Sequence, residues 1–70
     1  MDPNACLLDW AYAVLAEDRM EANEHYSALR SWMERGGFEP DWGKADADGR
    51  GLPSRKQFFS YDPRTGRIGE

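Results

Sequence analysis

Residues 18–38, DRMEANEHYSALRSWMERGGF, carry a start signal, a stop signal and an apolar stripe, and they limit what the rest of the chain can be. Asp18 followed by Glu21 is a capping-box-like pattern, with Asp standing in for Ser or Thr as acceptor for the first unpaired helical N–H groups. Glu17, Asp18, Glu21 and Glu24 gather where a helix dipole is positive, and Arg30 and Arg35 lie toward its negative end. Ala22, Tyr26, Leu29, Trp32 and Met33, with Met20 at the start, recur at the spacing of one helix face. Gly36 or Gly37 suits a left-handed cap, and Phe38 can fold back on the last turn. The pattern predicts a helix over about 19–35.

The preceding segment predicts a partner helix over about 3–16. Asp2 is an N-cap, and Pro3 suits a first helical position, where a missing N–H costs nothing. Leu7, Ala11, Val14 and Leu15 form one apolar row, Leu8, Tyr12 and Leu15 a second, and Cys6, Trp10 and Ala13 a third. That arc is wider than one contact needs. The helix is therefore either the centre of a small domain or a helix with one face on another chain. The short join at Glu17 and Asp18 predicts an antiparallel two-helix hairpin. One continuous helix over 3–35 is the rival, because neither Gly nor Pro marks the join.

From Phe38 the pattern dissolves. FEPDWGKADADGRGLP reads as irregular loop, in which Trp42 must pack back on the hairpin or belong to an interface. For SRKQFFSYDPRTGRIGE two structured readings compete. Ser54-x-x-Gln57 after Pro53 is a capping box that would start a short helix running through Tyr61. Alternatively 57–61 is a strand, 62–66 a turn and 67–68 the return strand, as the aromatic propensities of Phe58, Phe59 and Tyr61 favour. A lone hairpin is unstable in water, so this reading needs a surface to lie on. A disordered tail is the third reading. The expected fold is mainly α: a hairpin core over 1–38, then loop and an aromatic, basic extension over 39–70 that ends in a short β-hairpin or short helix, all in a single domain.

At 70 residues a lone hydrophobic core is marginal, and such chains usually lean on disulfides, metals or a partner. Cys6 is the only cysteine and His25 the only histidine, so neither an internal disulfide nor a standard zinc site can form. The expectation is no metal and no cofactor. Self-association or docking on another protein becomes the favoured way to complete the core. No apolar run approaches the roughly 20 residues of a membrane span. The opening Met1-Asp2-Pro3 is acidic rather than basic, unlike a secretory leader, so a cytoplasmic protein is expected.

Two resemblances bear on function. Tyr12 in the first helix and Ala22-x-x-x-Tyr26 in the second resemble a tetratricopeptide-type unit, and DPNA, the Asp-x-x-Glu-Ala helix and Trp32-x-x-x-Gly36-Gly37-Phe38 resemble short bacterial helical-hairpin proteins. The resemblance covers about half the chain, roughly residues 7–32, and implies interaction rather than catalysis. Separately, residues 46–58 are similar to an EF-hand calcium loop, with Asp46, Asp48 and Gly51 in matching places. Arg50 and Gln57 stand where that family has oxygen ligands, and Pro53 where it has an apolar residue; a polar turn stabilised by its own aspartates is the competing reading.

Catalytic signals are sparse. Glu21 lies one turn before His25 and can pair with it, as on any solvated helix face. Cys6 near a helix start can be activated, but it falls on the apolar arc of a structural thiol. No enzyme is expected. The formal charge is -4, yet it is split: residues 1–43 hold nine acids and three bases, and residues 44–70 four acids and six bases. The favoured function is a protein–protein interaction module or homo-oligomer, with Trp10, Tyr26, Trp32, Trp42, Phe58, Phe59 and Tyr61 as candidate contacts. The alternatives are nucleic-acid binding through the basic aromatic tail, or an acidic inhibitor that mimics nucleic acid through residues 17–24.

Overall fold

The Asp2 carboxylate accepts the backbone N–H groups of Asn4 at 3.0 Å and Ala5 at 3.4 Å, so α1 (Pro3–Leu15) begins where its cap and proline place it. This computed structural model of the protein describes residues 2–44 and 51–69. After α1 the chain turns at once. Glu17 adopts a left-handed φ of 58°, its N–H reaches Val14 O at 3.1 Å, and the Asp18 N–H reaches Ala13 O at 2.9 Å. This is a Schellman-type ending with Glu in the place of glycine. The rival of one continuous helix is thereby excluded. Asp18 caps α2 (Arg19–Glu34) by accepting the Glu21 N–H at 3.2 Å. Only this half of the expected box forms, because the Asp18 N–H is already bonded to α1. The Glu21 carboxylate instead lies 3.4 Å from His25 Nε2.

The far end of α2 closes with a second Schellman motif. Gly36 takes φ 88° and donates to Met33 O at 3.1 Å, while the Gly37 N–H reaches Trp32 O at 2.9 Å. Phe38 folds back edge-on to Trp32 at 5.7 Å, and Trp32 Nε1 donates to Phe38 O at 2.9 Å. The following loop is tied to the start of α1. The Asp41 N–H donates to Asn4 Oδ1 at 2.7 Å, and Asn4 Nδ2 donates to Asp41 Oδ2 at 3.3 Å.

The tail contains both of its structured alternatives, in series. Ser54 Oγ accepts the Gln57 N–H at 3.1 Å, and Gln57 Oε1 accepts the Ser54 N–H at 2.9 Å, which starts α3 (Arg55–Phe59). The helix stops at Phe59 rather than running through Tyr61. A strand over 57–61 does not form: strand geometry is confined to β1 (Tyr61–Asp62), paired antiparallel with β2 (Arg67–Ile68). The turn between them is held by Asp62, whose carbonyl accepts from Thr65 and Gly66 and whose carboxylate accepts the Arg64 N–H. Gly66 is required twice over. Its φ is 72°, and a Cβ there would stand 3.0 Å from Arg19 Cγ. Of the calcium-loop positions, Asp46, Asp48 and Arg50 lie outside the described residues, and the Gln57 side chain is engaged as a cap.

The core is shared by hairpin and tail. Leu7, Trp10 and Ala13 of α1, Ala22 and Leu29 of α2, and Leu52, Phe58 and Tyr61 from the tail are all buried. A helical core with an appended extension therefore does not describe the packing. Trp10 meets Phe58 and Tyr61 edge-on, at 5.0 and 5.4 Å. Much of the wide arc of α1 is thus covered, by α2 on one side and by the tail on the other, while Tyr12 and Leu15 stay exposed. Each large apolar side chain buried this way contributes roughly 1.5–3 kcal/mol. Hydrogen bonds anchor the tail to α2: Tyr61 Oη donates to Asn23 Oδ1, Asn23 Nδ2 donates to Pro63 O at 3.2 Å, and Arg19 Nη1 donates to Arg64 O at 2.9 Å. Among the described residues no helix is long and apolar enough to cross a membrane.

Candidate interaction surface

Six of the seven aromatic residues singled out from the sequence form one connected cluster. Phe58 sits at its centre, touching Trp10, Tyr26 at 4.8 Å, Trp42 at 5.5 Å and Phe59 at 5.4 Å, while Tyr61 joins through Trp10 and Tyr26. Trp32 stands apart, paired with Phe38. Within the cluster, Trp10, Phe58 and Tyr61 are buried and have no surface left for a partner. Tyr26 and Trp42 are half-buried, and Phe59, at 39% exposure, is the member that opens most to solvent.

Two arginines complete this edge. The short α3 puts Arg55 one turn before Phe59, and its Cζ lies 4.6 Å from the ring centroid. Arg30, from the middle of α2, brings its Cζ to 5.3 Å from the same ring and 5.7 Å from that of Tyr26. Each such stack is worth about 0.5–1 kcal/mol at an exposed position. Arg30 is further fixed by Tyr26 Oη at 2.9 Å and by Glu34 at 3.6 Å. Arg55 Nε donates to Glu39 Oε1 at 3.1 Å, and Trp42 Nε1 donates to the same oxygen, also at 3.1 Å. The Arg55 hydrogen bond first, and that of Trp42 second, hold the Glu39 carboxyl below its usual range. Between these groups lies a cleft of about 330 Å³, lined also by Met33 and Gly37.

The arrangement is a half-exposed aromatic edge flanked by two guanidinium groups held by hydrogen bonds and ion pairs. Sequence reasoning named Phe59, Trp42 and Tyr26 and interleaved Arg55 with the tail aromatics as a base for nucleic acid, but it did not place Arg30, Arg55 and Glu39 together around the Phe59 ring. The signal was present for two of them: Tyr26 and Arg30, and Arg55 and Phe59, stand four residues apart on their helices. For Glu39 no local pattern points at Arg55.

The remaining candidates fall elsewhere. Of the aromatic residues in the basic tail, Phe58 and Tyr61 are turned inward, which leaves Phe59 as the ring available for stacking. Glu17, Asp18, Glu21 and Glu24 are exposed, with Asp18 engaged as a cap and Glu21 facing His25. Cys6 is half-buried, and its thiol donates to His25 O at 3.4 Å. Burial first, and the nearby Asp9 charge second, push that thiol's pKa up, away from the reactive thiolate. Among the described residues no group of three or more His, Cys, Asp and Glu side chains is placed to hold a metal ion. Comparison with family models, with curated proteins and with solved structures finds no match for this chain.

Proposed function

We propose that the protein is a non-enzymatic interaction module that binds another protein, or a second copy of itself, through the Phe59 edge. The observation that carries this reading is the pair of guanidinium groups stacked against one half-exposed ring, Arg55 at 4.6 Å and Arg30 at 5.3 Å. Arginine and aromatic residues dominate the energy of protein interfaces, because they offer large contact area and donors together. Here their side chains are already held by Tyr26, Glu34 and Glu39. Less conformational entropy is then lost on docking, which is the main advantage of a preformed face.

The test is affinity capture from an extract of the native host with the wild-type chain and with Arg55→Ala and Phe59→Ala in parallel. Sedimentation across a concentration range reports self-association in the same three proteins. A partner or a dimer that is present with wild type and lost in both variants, whose circular dichroism is unchanged, supports the reading. A chain that stays monomeric and captures the same proteins as its two variants sinks it.

A further inference from the structure

A second surface shares no lining residue with the Phe59 edge. Val14 and Leu15 at the end of α1, with Ile68 of β2, border two adjoining clefts of about 480 and 310 Å³. Leu15 is 80% exposed, although it belongs to the apolar arc of the helix. On one side of this wall the floor is apolar and includes Trp10, Leu52 and Pro53. The Trp10 Nε1–H is buried and has no acceptor among the described residues.

On the other side the lining turns cationic, with Arg19 at the first position of α2 and Arg67 on β2, 48 residues apart in sequence. Neither guanidinium forms an ion pair with a carboxylate among the described residues. Arg19 is held in place by the Arg64 carbonyl at 2.9 Å and by the Gly66 turn pressed against its side chain. Glu17 is the one acidic side chain on this lining, and Thr65 adds a hydroxyl.

We infer that this groove binds a peptide segment of a partner protein in which apolar side chains stand beside acidic ones. The apolar side chains would lie against Val14, Leu15 and Ile68. The carboxylates would pair with Arg19 and Arg67. A peptide fits better than a small molecule. Small ligands are held in pockets that enclose most of their surface, whereas these clefts are shallow and open side by side. An extended peptide needs only alternate side-chain footholds and offers a carbonyl at every residue. Opposite charge at one end of the groove also sets the direction in which the segment lies.

The probe is acetyl-Glu-Leu-Leu-Glu-amide titrated into the isotope-labelled full chain and followed by amide, indole and methyl resonances. The expected result is saturable movement of the Leu15 and Ile68 methyl signals and of the Arg67 amide, with the Phe59 edge unmoved. Arg67→Gln, which removes a guanidinium but no tertiary hydrogen bond, is expected to weaken binding about fivefold, the upper range for an exposed ion pair. Arg19→Gln removes the Arg64 contact as well, so its folding is checked by the dispersion of the same spectrum. Acetyl-Lys-Leu-Leu-Lys-amide and acetyl-Glu-Ser-Ser-Glu-amide are expected to bind more weakly than the probe. Equal binding of the lysine peptide, shifts that map to Phe59 and Arg55 instead, or no saturable shift at millimolar peptide each overturn the inference. The two surfaces are read separately in one spectrum, so the failure of one leaves the other standing.

Discussion

Tyr61 shows how one residue joins burial to pH. Its ring is 4% exposed, and its hydroxyl donates to Asn23 Oδ1, so the fold uses the protonated form. Burial is the largest cause that raises its pKa above the ordinary value, with Asp62 and Tyr26 adding to the rise and Arg19 opposing it. A group whose folded pKa is raised adds stability that is complete below its unfolded pKa, about 10 for tyrosine, and is lost as pH climbs through the folded value. Thermal melts between about pH 9 and about pH 11 are therefore expected to fall more steeply for wild type than for Tyr61→Phe. Parallel slopes would show that the hydroxyl ionises without cost to the fold. The same residue was read from sequence as a contact for a partner. Its propensity and hydrophobicity were legible, but its donor bond to a residue 38 positions away was not.

At the scale of elements, the junction of α1 and α2 is the least regular feature with the largest consequence. Asp18 ends one helix through its N–H and starts the next through its carboxylate. That geometry needs a left-handed residue just before it, and the chain places Glu17 there at φ 58°. A left-handed residue with a side chain costs roughly 1–2 kcal/mol, and glycine avoids this while losing about 0.5–1 kcal/mol of its own in chain entropy. Glu17→Gly is accordingly expected to stabilise the protein by a few tenths to about 1 kcal/mol, raising the melting midpoint by a few degrees. Differential scanning calorimetry checks it, and a lowered midpoint would mean that the Glu17 side chain has a stabilising role not accounted for. The turn was foreseen from the acidic pair, although nothing at that point distinguishes a bend from a continuing helix. What decides for the bend is the burial of Ala13 and Ala22 between the two helices.

For the whole molecule, the core closes only when the tail is in place. Phe58 is fully buried and is the hub that links α1, α2 and the loop through Trp10, Tyr26 and Trp42. Truncating a buried aromatic to alanine costs about 3–5 kcal/mol through lost burial and the cavity left behind. At about 0.05–0.15 kcal/mol per residue, a domain this small holds only a few kcal/mol of stability in total. Phe58→Ala is expected to leave much of the population unfolded at room temperature, as read by denaturant titration. An unchanged midpoint would mean that the hairpin holds its shape without the tail. The expected need for a partner to finish the core is thus largely met within the chain. Phe59 and Leu15 are among the large apolar side chains that this core leaves exposed.

Local chemistry in the sequence determined the helical hairpin, its caps at Asp2, Asp18 and Ser54, its stop at Gly36 and the turn at Asp62. Those features depend on neighbours one to five residues apart, and such spacings can be read along the chain. Tertiary structure decided which aromatics face inward, that the tail is first helix and then strand, and that Arg30 and Arg55 meet on one ring. Each of these depends on contacts between segments about 25 to 50 residues apart in sequence. Propensity gave Phe58, Phe59 and Tyr61 the same preference for a strand. Phe58 went into the core and Phe59 stayed at the edge because the Ser54 cap fixed the helical phase of α3, while Tyr61, beyond that helix, is buried from β1 and tied to Asn23.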